Sequence, residues 1–127
     1  MADAILLLGD WFIDKPICAN ETVEDYPFVF NLEAPISKRG QVTPGKICLR
    51  LSDDHICESF GRKPIAVCIG NNHIMDFGEI AFKDTISALN NMDIPFFGAH
   101  EPDLREPLIV SVGAQRLALM SYVCSST

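Results

Sequence analysis

Histidine is scarce in this chain: three in 127 residues, at His55, His73 and His100. Basic residues are scarce too, with 10 Lys and Arg against 17 Asp and Glu and a formal net charge of −7. That balance argues against a nucleic-acid surface, which needs a basic face, and against tight attachment to an anionic lipid surface. An acidic protein that handles an anionic substrate needs a cation at its site. No apolar run is long enough to span a bilayer. The opening Met1-Ala2-Asp3-Ala4 lacks the basic stretch of a signal peptide, and the apolar segment after it is short, so a cytoplasmic location is expected. The cysteines Cys18, Cys48, Cys57, Cys68 and Cys124 are odd in number and contain no Cys-x-x-Cys pair, which reads as free thiols in a reducing compartment. Neither Gly-x-Gly-x-x-Gly nor a P-loop occurs, so nucleotide binding lacks support. There is no internal repeat, and 127 residues fit one domain.

What the chain does have is three short polar clusters, each placed where a buried strand should end. Gly9-Asp10 follows the apolar run Ala4 to Leu8. Asn31-Leu32-Glu33 follows Phe28-Val29-Phe30. Gly70-Asn71-Asn72-His73 follows Ile65 to Ile69. In open α/β sheets ligands bind outside the carboxyl ends of parallel strands. Three such ends carrying a carboxylate, a carboxylate and an Asn-His pair point to one shared site. Its oxygen and nitrogen donors suit hard or borderline divalent metals.

Strands alternating with helices predict an α/β fold with a mostly parallel sheet and right-handed crossovers. Ala4 to Leu8 reads as a strand covered on both faces. Residues 35–45, with two prolines and two glycines, read as an exposed loop, and Lys46 to Leu51 as a short strand. Ser52 suits the N-cap of a short helix near 53–60 that stops at Gly61. Glu79 to Met92 is the clearest helix, with Phe82, Ile86 and Leu89 at i, i+4 and i+7. Lys83, Asp84, Ser87 and Asn90 take its wet side, and Pro95 forbids continuation. Phe96-Phe97 reads as a short strand. Leu108 to Val112 and Arg116 to Val123 flank the turn Gly113-Ala114, a late antiparallel hairpin.

The run Asn71-Asn72-His73-Ile74-Met75-Asp76-Phe77-Gly78 resembles the Asn-Asn-His-x-x-Asp-Tyr-Gly signature of the CapA capsule-synthesis proteins. Asp84-Thr85, Ala88-Leu89, Ile94-Pro95-Phe96, Gly98-Ala99 and Pro107-Leu108-Ile109 fit the same family. Upstream, Gly9-Asp10 and Asn31-Leu32-Glu33-Ala34-Pro35 match its two earlier motifs in order. The resemblance covers nearly the whole chain. That family is similar to the calcineurin-like metallophosphoesterases, and the likeness implies part of a four-layer α/β/β/α sandwich. It makes residues 1–127 a single CapA-like domain lacking its C-terminal half, to be completed by a further segment or another copy. It also implies divalent ions (Mn, Zn, Fe or Mg), with Asp10, Glu33 and Asn72 as ligands and His73 as proton donor, with Asp76 orienting its ring. The implied activity is hydrolysis of a phosphoester or related bond in a small or polymeric anionic substrate. The implied setting is the synthesis of capsule, poly-gamma-glutamate or polysaccharide. Two departures stand out. The superfamily's first motif is Asp-x-His, and Phe12 occupies its third position here. The family's later motifs, His-Trp-Gly and Gly-His-His-Pro-His, do not occur.

Each residue also has an ordinary explanation. Asp10 and Glu33 could cap helices. Asn71 and Asn72 could make a turn, and His73 could be a hydrogen-bonded structural histidine. His55 and His100 lie in polar segments and read as surface positions. Cys68 reads as core packing. Trp11 could line a pocket or pack a loop, and Gly9 and Gly78 could give backbone room beside the site. A non-catalytic scaffold or binding subunit that keeps the fold without a complete metal shell is therefore the rival to a hydrolase.

Overall fold

The structure is a computed structural model that describes residues 3–13, 15, 17–18, 23, 25–51, 56–98 and 106–123. Its described strands are β1 (Leu6–Trp11), β2 (Phe28–Leu32), β3 (Ala66–Cys68), β4 (Phe96–Phe97), β5 (Leu108–Val112) and β6 (Gln115–Leu119); its described helices are α1 (Ile56–Phe60) and α2 (Gly78–Asn91). Strands β1 to β4 form a parallel sheet in that order, and β5 and β6 pair antiparallel in a sheet of their own. This is the mixed α/β architecture that the alternation of elements predicts.

Strand β2 shows why the chain stacks in layers. Its side chains alternate across the sheet. Phe28, Phe30 and Leu32 enter one core with Val67, Ile56, Phe60 and Leu89, while Val29 enters a second with Ala66 and Val110. Helix α2 covers the first face through Leu89 and the partly buried Phe82 and Ile86. The hairpin covers the second through Leu108, Leu117 and Leu119. The result is a helix, sheet and hairpin stack.

Several expectations need correction. Strand β1 starts two residues later than the apolar run and lies at the sheet edge, with Leu7 72% exposed, so it is not covered on both faces. Lys46 to Arg50 form no strand; only Leu51 makes an isolated bridge, to Ile36. The 35–45 loop is anchored at its start, where Pro35, Ile36 and Ser37 are buried and Thr85 Oγ1 accepts from Ile36 N–H at 2.9 Å. Trp11 packs: its ring lies 4.5 Å from Phe60 and 5.6 Å from Phe30, centroid to centroid. Gly9 and Gly78 have open space about them, so neither is needed for close approach. The tight positions are Gly70 and Gly98, whose backbones would collide if either carried a Cβ, and Gly40, at φ 92°, where a Cβ would strike the Phe77 carbonyl. The Ser52 cap and the surroundings of His55, His100 and Cys124 lie outside the described residues.

One irregularity positions the site. Leu6 and Leu7 pair with Phe28 and Val29, but Asp10 and Trp11 pair with Asn31 and Leu32. One extra residue is therefore absorbed in β1 around Leu8-Gly9. A one-residue slip exchanges the faces of a strand. The bulge turns Trp11 into the aromatic core and sets Asp10 beside Asn31; without it Asp10 would face Phe30 and Phe60.

Candidate functional site

The carboxyl ends of β1, β2 and β3 lie side by side, which brings the three polar clusters together. Asp10 lies within β1 and Asn31 within β2, so the strands run on through the clusters instead of stopping before them. Asn31 joins the two acids. Its Nδ2 donates to Asp10 Oδ1 at 2.8 Å and also to Glu33 Oε2. The orientation of its amide follows from a chain of partners. Asn71 Oδ1 accepts from the backbone N–H groups of His73 and Ile74, at 3.0 and 2.9 Å. Backbone N–H can only donate, so Asn71 Nδ2 must point the other way, to Leu32 O at 2.8 Å and Asn31 Oδ1 at 3.0 Å. Asn31 Oδ1 is thereby the acceptor, and its NH2 is left to face the carboxylates. The polarity of the relay runs from the His73 turn to the acids.

Glu33 lies in a poor environment for a charge. Burial pushes its carboxyl above the usual range, and the Asp10 charge pushes it further; the Asn31 amide and His73 oppose this, and Asp76 adds to it. The Asn31–Asn71 relay ties this acid to the third cluster.

Asp76 is fully buried and richly partnered. Its Oδ2 takes Leu49 N–H at 2.6 Å and meets His73 Nδ1 at 2.7 Å, while its Oδ1 pairs with Lys46 Nζ at 2.6 Å. Burial alone would raise its carboxyl; Lys46, the Leu49 N–H and His73 together hold it below the usual range instead. An ionised Asp76 is an acceptor only, so His73 Nδ1 carries a proton towards it and, among the described residues, Nε2 is the open ring nitrogen. A carboxylate behind a histidine in this way fixes tautomer and ring orientation. The turn itself is wound by Asp76 N–H to His73 O and Gly78 N–H to Met75 O, and Gly78, at φ 79°, admits the chain to α2.

Asp10, Glu33, His73 and Asp76 thus lie in one region. Asn72 is exposed, and its carbonyl accepts from Lys46 Nζ at 2.6 Å; the amide that joins the acids' network belongs to Asn71. Phe12 stands just past β1, 42% exposed. Asn31 and Lys46 carry weight that sequence reasoning did not assign. An asparagine two residues before an acid at a strand end was a readable hint for Asn31. For Lys46, 30 residues from Asp76, there was none.

Two carboxylates bridged by one neutral amide therefore stand at the strand ends, tied through Asn31 and Asn71 to the turn that carries the His73 imidazole. Among the described residues no group of three His, Cys, Asp or Glu side chains is assembled as a metal shell.

The family comparison covers the second and third clusters and begins beyond Asp10. Residues 19–127 match the family described as bacterial capsule synthesis protein PGA_cap. The chain belongs to this family. Two curated proteins of Mycobacterium tuberculosis, from strains CDC 1551 / Oshkosh and ATCC 25618 / H37Rv, each carry the name probable polyglutamine synthesis accessory protein. Each is 30% identical over 102 residues, covering 78% of this chain and 27% of the relative. The chain therefore spans about a quarter of the length of these relatives. Among the described residues no helix is long and apolar enough to cross a membrane.

Proposed function

We propose that this PGA_cap chain carries one half of a divalent-metal site for hydrolysis of a phosphoester or related bond, in the service of making an anionic polymer such as poly-gamma-glutamate or capsular polysaccharide. The observation that carries this reading is the Asp10–Asn31–Glu33 bridge beside a histidine whose Nδ1 is tied to a buried carboxylate. Asp10 and Glu33 would hold the ion, with Asn72 a further oxygen donor available from the exposed turn. The chemistry a bound Mn, Zn, Fe or Mg ion would supply is an activated water and neutralisation of charge on the transferred group.

The chain's own residues do the rest. His73, protonated at Nε2, gives that proton to the leaving oxygen. Asp76 keeps the ring's orientation and stabilises it while it is charged. Asn31 holds the two acids at one mouth, and Asn71 ties that mouth to the His73 turn. The remaining ligands of a full shell would come from sequence beyond residues 1–127 or from a second copy, with the cytoplasm as the site of action.

A second reading rests on the same bridge. The Asn31 amide already satisfies one oxygen of each acid, and Phe12 offers no nitrogen ligand, so the fold could serve as a scaffold or binding subunit without an ion. Metal content and hydrolysis of a generic phosphodiester with added Mn²⁺, measured on the whole protein, separate the two. Loss of activity in folded Asp10→Ala and His73→Ala variants supports the hydrolase. A whole protein that holds no metal and cleaves nothing establishes the scaffold instead.

A further inference from the structure

Lys46 sits in an exposed loop, yet its ammonium reaches into the His73 turn. Nζ lies 2.6 Å from Oδ1 of buried Asp76 and donates to Asn72 O at 2.6 Å. Three residues on, Leu49 N–H caps the other oxygen of Asp76, and three residues earlier Thr43 N–H and Oγ1 both donate to the Asp76 carbonyl, at 2.8 and 3.1 Å. The segment from Thr43 to Leu49 is thus a strap that grips Asp76 by backbone and side chain together. A buried carboxylate with only a ring nitrogen and one backbone N–H, both on the same oxygen, would be poorly compensated. With Lys46 at Oδ1 it has a counter-charge, and Oδ2 serves His73 alongside the Leu49 N–H.

We propose that Lys46 is a positioning residue: by pairing with Asp76 Oδ1 it holds Asp76 Oδ2 against His73 Nδ1, so that the open nitrogen of the ring is Nε2. The inference deepens the reading of His73 as proton donor and rests on it for its relevance to hydrolysis. The ring arrangement itself is readable without substrate or metal, so its failure is separable from failure of that reading.

The test is a long-range ¹H–¹⁵N correlation spectrum of the imidazoles in the ¹⁵N-labelled 127-residue chain, recorded near pH 8.5, about two units above the ordinary histidine value. In the unaltered chain His73 is expected as the Nδ1–H tautomer. In Lys46→Met the ratio of Nδ1–H to Nε2–H should fall about tenfold or more, the scale of one charge-assisted hydrogen bond. Lys46→Arg, which keeps the charge, should restore most of it. An Nε2–H tautomer in the unaltered chain overturns the proposal with no variant needed. So does a folded Lys46→Met chain whose tautomer ratio is unchanged. Should Lys46→Met fail to fold, a Lys46→Arg chain with His73 as Nε2–H overturns it equally.

Discussion

Asp76 and the pair Asp10–Glu33 are carboxylates in one small region, held in opposite ways. Asp76 has an ammonium, a backbone N–H and an imidazole around two oxygens, and its carboxyl is held low. Asp10 and Glu33 share a single neutral amide, and the Glu33 carboxyl is held high. Burial works against the charge at Asp76 and at Glu33. What differs is the supply of positive partners. One site has its counter-charge within this chain, in the Lys46 ammonium beside Asp76 Oδ1. The other sets two acids on one neutral amide, and that contrast is the physical basis for proposing the chemistry at the acids and the support at Asp76.

Removing the counter-charged site should cost most. Asp76→Ala leaves Lys46 Nζ, Leu49 N–H and His73 Nδ1 without their acceptor. Breaking a buried pair costs about 3–5 kcal/mol. Because Lys46 is partly solvated, a loss near the lower bound, about 3 kcal/mol, is expected in urea unfolding, with the 40–49 segment losing amide protection first. A loss below about 1 kcal/mol, the scale of a surface pair, would erase the contrast. Cutting the link between the two sites comes next. Asn71→Ala strips acceptors from His73 and Ile74 N–H, for a loss of about 2 kcal/mol, and should shift the resonances of both Glu33 and His73. A shift confined to His73 would show that the relay does not connect the clusters.

The pH dependence separates the acids by sign. Glu33 is raised, so its contribution is present below the usual carboxyl value of 4.5 and is lost as pH rises through its folded value. Asp76 is lowered, so its contribution is present above the usual 3.8 and is lost as pH falls through its folded value. The Asp10→Asn variant should reduce the Glu33 part, whose larger cause is burial, and leave the Asp76 part, as read from urea unfolding across that pH range. The smallest effect is expected at the surface: Asp84, held down to about 2 by Arg39 and Ser37, should protect stability above its usual value only weakly, since its pair with Arg39 lies at the surface and is screened. Added salt should remove that protection while leaving the Asp76 contribution in place.

The parts of this molecule that were legible in the sequence follow local rules. Helix α2 occupies Gly78–Asn91, where the stripe of Phe82, Ile86 and Leu89 placed it to within one residue. The hairpin turns at Gly113-Ala114, where Gly113 adopts φ 57°. The order of the three polar clusters along the chain, together with strand–helix alternation, was enough to bring Asp10, Glu33 and His73 to one end of the sheet. What stayed hidden is long-range. The slip in β1 depends on where Trp11 finds Phe60, 49 residues on. The strap from Thr43 to Leu49 reads as loop because its partners lie in another turn. The extended segment 46–50 alternates like a strand, but its hydrogen bonds go to Asp76 and not to a neighbouring strand.

A shared cation site at the two acids can be checked by titrating the ¹⁵N,¹³C-labelled chain with paramagnetic Mn²⁺. The carboxyl carbons of Asp10 and Glu33 and the ring of His73 are expected to broaden together, at low metal ratios. They should do so ahead of the surface acids Asp84 and Glu79. Broadening that begins at those surface acids, or that reaches Asp10 and Glu33 at different metal ratios from each other, would contradict a site built on the pair.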